Sequence, residues 1–98
     1  MLNEFVSWMK AGYGYECVRH DHELTSSAVI DFENADVIGR FTVWDDFSCM
    51  SEVIEIATAA YRVNKRFEFS RPDELKEFFI DKFVFFLGRG GANLTQSF

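Results

Sequence analysis

A chain of 98 residues fits one domain, and with 48% hydrophobic residues it can bury a core without metal or disulfide staples. Its 16 acidic against 10 basic side chains give a formal net charge of -6, which argues against a nucleic-acid partner, since phosphate binding needs clustered Lys and Arg. The longest apolar run, 83–87, is far too short to span a bilayer, and no basic segment followed by an apolar one opens the chain, so a cytoplasmic protein without a membrane partner is expected.

Leu2, Phe5, Val6 and Met9 recur at helical spacing, and Gly12 and Gly14 offer a stop. Tyr15 to Arg19 alternates weakly, and His20 to Ser27 reads as a polar loop. Residues 28–33 alternate with Ala28, Ile30 and Phe32 on one side. Asn34-Ala35-Asp36 supplies turn chemistry, and residues 37–45 alternate again. Val37, Gly39, Phe41 and Val43 share one side of this strand; Ile38, Arg40, Thr42 and Trp44 share the other. A turn over Asp45 to Cys49 leads to a strand over 50–57, with Ile54 and Ile56 inward and Val53, Glu55 and Ala57 outward. A further strand over 64–69 puts Phe67 and Phe69 inward.

Ser70 is placed to cap a helix, with Asp73 three residues on completing a capping-box pattern and Pro72 tolerated in the first turn. Over 71–87, Leu75, Phe78, Phe79, Phe83, Phe86 and Leu87 form one stripe. Gly88 ends the helix, and 89–98 reads as a mobile tail. The expected architecture is a single two-layer α+β domain over 1–88. An antiparallel sheet of four to five strands carries an N-terminal and a C-terminal helix on one face. Phe41, Val43, Ile54, Ile56, Phe67, Phe79 and Phe83 are its expected core.

Chemistry-bearing patterns are sparse. His20 and His22 sit at i, i+2, but a closed metal site needs more ligands than this pair. Asp31/Glu33 and Asp45-Asp46 are paired acids without the contrasting environments that acid–base catalysis needs. Ser26, Ser27 and Cys49 lack a His-based activation signature. The glycines of Gly88 to Gly91 follow a helix, whereas a phosphate-cradling turn precedes one. Cys17 and Cys49 read as free thiols, with a disulfide as the alternative. No catalytic residue, metal or organic cofactor is expected. Trp44 differs from these: its strand phase sets it among Arg40, Thr42, Glu55 and Arg66, with Asp45 and Asp46 at the edge. An aromatic side chain inside a charged rim is the anatomy of a protein-binding hot spot; packing under a loop is the structural alternative.

At Gly39-Arg-Phe-Thr-Val-Trp-Asp45, then Glu52-Val-Ile-Glu-Ile56 and Ser70-Arg-Pro-Asp-Glu-Leu75, the chain resembles the TriTu family of bacterial immunity proteins. The resemblance implies a cytoplasmic protein that binds and neutralises a cognate secreted antibacterial ADP-ribosyltransferase toxin acting on elongation factor Tu. It implies no enzymatic activity of its own. Arg40, Thr42, Trp44, Asp45, Asp46, Glu55 and Arg66 are the expected partner-binding residues. The alternatives are an immunity or adaptor protein for another toxin, a small enzyme, and a structural homo-oligomer.

Overall fold

The computed structural model describes residues 1–90, with side chains through Leu87. The first helix, α1 (Leu2–Tyr13), leads into five strands: β1 (Val18–Asp21), β2 (Ser26–Glu33), β3 (Val37–Trp44), β4 (Ser48–Glu55) and β5 (Tyr61–Glu68). The chain closes with α2 (Pro72–Phe79), a π-helical turn over Ile80–Val84, and α3 (Phe85–Gly90). Each strand pairs antiparallel with the next, in the order β1-β2-β3-β4-β5. The fold is α+β, with both helical segments on one side of the sheet.

Short turns set this order. Asn34 Oδ1 accepts the main-chain N–H groups of Asp36 (2.7 Å) and Val37 (2.9 Å), so the expected turn chemistry closes β2 onto β3. The expected loop over His20–Ser27 is shorter than predicted: its ends extend β1 and β2, and the His22 N–H donates to the Thr25 carbonyl across the turn that remains.

The turn between β3 and β4 is also tighter than the sequence suggests. It holds three residues, Asp45 to Phe47, and Phe47 takes a left-handed backbone (φ 66°). That conformation supplies the extra residue of a three-residue hairpin loop, which normally favours glycine. Phe47 packs on Phe69, 5.7 Å between ring centroids. The turn fixes the register at Trp44 opposite Ser48, so Phe41 faces Ser51 and Gly39 faces Val53.

This register corrects the expected phase of β4. Cys49, Ser51 and Val53 are buried against the helices; Ile54 is half-buried on the opposite face and Ile56 is exposed. Neither isoleucine belongs to the core. The apolar size of the isoleucines outweighed the small buried Cys49 and Ser51 in the sequence pattern. A one-residue slip turns every side chain over.

The core otherwise follows expectation around Phe41, Val43, Phe79 and Phe83, all fully buried. Leu2, Phe5 and Met9 of α1 close it from one side. Phe79 is its hub: the rings of Phe41 (5.2 Å), Tyr13 (5.4 Å) and Phe83 (5.5 Å) surround it edge-on or tilted. Phe67 is half-buried and stacks on Phe78 at 4.7 Å.

The start of α2 differs in detail from the predicted cap. Arg71 is the N-cap, and Glu74, rather than Asp73, reaches back: its Oε1 accepts the N–H groups of Ser70 (2.7 Å) and Arg71 (3.0 Å). The helical run continues past Gly88 to Gly90; residues 91–98, the rest of the expected tail, lie outside the described residues.

Candidate functional site

Because both helical segments pack on one side of the sheet, the other side carries the outward-facing residues. Alternation along β3 aims Arg40 and Trp44 there, opposite the fully buried Phe41 and Val43. The register then adds residues from neighbouring strands. Ser27 and Ser48 flank Trp44, Val29 and Met50 flank Thr42, and Asp31 and Glu52 flank Arg40. Arg66 of β5 lies opposite Met50, and Glu68 lies opposite Ser48.

At the Trp44 end these side chains form a connected cluster. The Arg66 guanidinium lies 4.8 Å from the centre of the Trp44 ring. Its Nη2 donates to Ser48 Oγ (2.7 Å) and stands 3.6 Å from Asp46 Oδ2. The Ser48 hydroxyl in turn donates to Asp46 Oδ1. Arg66 and Trp44 belong to β5 and β3, with β4 between them. Ser48, a small residue on β4, leaves the passage over which the guanidinium reaches the indole. Turn geometry, strand register and one small side chain thus fix the orientation of a half-exposed arginine before any partner arrives.

The expected binding residues separate on this map. Arg40, Trp44, Asp46 and Arg66 share the open side. Arg40 is already held across the strands by Asp31, through Nε–Oδ1 (2.7 Å) and Nη2–Oδ2 (3.4 Å). Thr42 has the outward phase but is only 9% exposed, between Val29 and Met50, so it supports the face more than it presents a contact. Asp45 accepts the Ser26 N–H through Oδ2 (2.9 Å) and donates its own N–H to the Ser26 carbonyl, tying the hairpin to β2.

Glu55 is a correction. It lies opposite the fully buried Val37, on the helix side of the sheet. There it accepts from Arg62 Nε (2.9 Å), and Arg62 Nη1 donates to the Phe86 carbonyl (3.0 Å). This arginine bond, with a second from Thr58, lowers the Glu55 pKa. Its carboxylate therefore ties β4 and β5 to the end of the helical layer. Sequence reading missed Ser48 and Met50 because it assigned Ser48 to the turn and left the β4 phase inverted. Counting a three-residue loop after Trp44 would have recovered both.

The other candidate chemistry is dispersed. His20 is exposed on edge strand β1 and His22 lies in the turn after it. Among the described residues no three His, Cys, Asp or Glu side chains converge. Burial pushes the Cys49 thiol up to about 12, so it stays protonated and is no nucleophile at neutral pH. Cys17 and Cys49 are both free thiols. No helix among the described residues is long and apolar enough to cross a membrane.

Comparison with known proteins agrees with the resemblance in the sequence. No curated protein matches the chain. The family model described as Immunity protein TriTu matches residues 3–84, which takes in all but the first residue of α1, all five strands, α2 and the π-helical turn. This chain belongs to the TriTu immunity protein family.

Proposed function

We propose that this protein binds and neutralises a cognate secreted ADP-ribosyltransferase toxin in the cytoplasm of the cell that makes both, by stoichiometric occlusion and not by catalysis. Family membership carries the immunity role. The observation that supports the mode of action is the cluster of Trp44, Arg66, Ser48 and Asp46 on the side of the sheet away from the helices. A guanidinium fixed over an indole loses little side-chain freedom on docking, so more of its contact energy remains for binding. Asp46 at the rim, on a chain of net charge -6, favours approach to a basic surface such as one lining a nucleotide cleft.

The test is co-purification with the toxin domain encoded beside this chain's gene, followed by titration of that domain's ADP-ribosylation of elongation factor Tu. Inhibition that saturates at one immunity protein per toxin supports the reading. A bound toxin domain whose target or chemistry differs moves the protein to another toxin class. Failure to bind the neighbouring toxin domain overturns the proposal.

A further inference from the structure

The end of the open side remote from Trp44 is built differently. Ile38 of β3 lies opposite Ile54 of β4, and Ile54 lies opposite Tyr61 of β5 just past an irregularity in the β4–β5 register, so three large apolar side chains adjoin across three strands. Ile38 is 47% and Tyr61 52% exposed. The inward neighbours Val37 and Val53 are fully buried, which sets Ile38 and Ile54 on the side away from the helices; Tyr61 joins them by its pairing with Ile54, while its chain neighbour Arg62 reaches the helical layer at the Phe86 carbonyl. Singly scattered exposed hydrophobics need no explanation, whereas adjoining ones form a patch with which an apolar partner can pair.

The surroundings of the row are acidic. Glu33 lies opposite Ile38 on β2, Asp36 occupies the adjacent turn, and Glu52 is one pair further along β4. Among the described residues none of these three carboxylates has an ion pair, while the nearby Arg40 and Arg62 are engaged by Asp31 and Glu55.

We infer that Ile38, Ile54 and Tyr61 form a second anchor for the toxin, one that seats an apolar protrusion flanked by Lys or Arg side chains that meet Glu33, Asp36 and Glu52. This rests on the immunity reading above. Ile38 and Trp44 stand six residue steps apart along β3, about 20 Å at roughly 3.3 Å per step. One docking surface of ordinary size, about 800 Å² on each partner, covers both anchors. A second copy of this chain is a poorer occupant, because it brings the same acidic rim and the same net charge of -6.

The probe is the toxin domain encoded beside this chain's gene, with melting curves run on every variant. Ile54→Asp is expected to weaken binding by about thirty-fold or more, as loss of a hot spot does. Tyr61→Ala, at an edge strand where truncation disturbs packing least, is expected to weaken it about tenfold or more. Glu33→Lys with Asp36→Lys changes no buried side chain and is expected to lower the association rate several-fold. Folded Ile54→Asp and Tyr61→Ala variants that bind as the parent does, while Arg66→Ala binds weakly, would retire the second anchor and leave the immunity reading standing. A parent protein that does not bind the toxin domain overturns both. A parent dimer that becomes monomeric in Ile54→Asp, with toxin affinity unchanged, assigns the row to a second copy and overturns the inference.

Discussion

Ser51, fully buried at the centre of β4, donates its hydroxyl to the main-chain carbonyl of Lys82 (2.5 Å) in the π-helical turn. A π turn widens the helix by one residue and departs from the regular ladder. The sheet thus supplies a donor to the irregular part of the helical layer, next to the fully buried Phe83.

Ser51→Ala removes that donor from a part-buried carbonyl. The expected cost is about 0.5–1.5 kcal/mol, the usual net contribution of one hydrogen bond. Urea denaturation should show a lower midpoint with an unchanged slope. An unchanged midpoint would mean that Lys82 finds another donor.

Gly39 faces the same layer. A Cβ built there comes within 2.9 Å of Leu87 Cδ2 and within 3.1–3.2 Å of the Phe83 ring. The absent side chain is what lets α3 and the π turn lie against β3. The Leu87 methyl can yield but the fully buried Phe83 ring is confined, so Gly39→Ala should already destabilise and Gly39→Val should cost more, about 1–3 kcal/mol by overpacking. Adding Leu87→Ala to Gly39→Val should cost less than the two single changes summed, because the residues share one space. Additive losses in a double-mutant cycle would place the cause of the Val effect elsewhere.

These contacts show where the sequence was readable. The phase of β3 was legible because Phe41 and Val43 alternate cleanly with Arg40 and Thr42, and the Asn34 turn was legible because its side chain does the work of a backbone acceptor. The phase of β4 was not. Ser51 looks polar, yet it is buried for the sake of one carbonyl, whereas Ile54 looks like core and lies on the open side. Phe47 gave no sign of a left-handed turn, since the residue that usually marks one is glycine. Both errors displaced the candidate site: they put Glu55 into it, left Ser48 out, and hid the Ile38–Ile54–Tyr61 row.

The pH dependence of stability has a defined sign at Glu74. Bonds from the main-chain N–H groups of Ser70 and Arg71 hold its pKa below the ordinary carboxylate value. A carboxyl whose folded pKa is depressed contributes stability above its unfolded value, about 4.3 for Glu, and loses it as pH falls through the folded pKa. Glu55 has the same sign through Arg62. Glu74→Gln should therefore melt below the parent at pH 6, and the gap should close as pH falls below about 4.3. Thermal melts of both proteins between pH 6 and 3 check this; a gap that widens on acidification would contradict the assigned bonds.

Arg66 tests the open side most directly, because its contribution can be read with and without a partner. Its guanidinium covers Trp44, and its hydrogen bond to Ser48 fixes that position. Arg66→Ala should uncover the indole and shift tryptophan emission to the red. The measurement belongs in a Trp8→Phe background, since Trp8 is the chain's other tryptophan and packs against Phe5, Tyr13 and Phe79. The ion pair is half-exposed, so the melting temperature should move little. Toxin affinity should fall by about 2 kcal/mol or more, the hot-spot threshold, with most of the change in the dissociation rate. Arg66→Lys should restore charge but not the planar stack, and so should recover the association rate without the residence time. A folded Arg66→Ala variant with red-shifted emission and parental toxin affinity would remove this cluster from the interface.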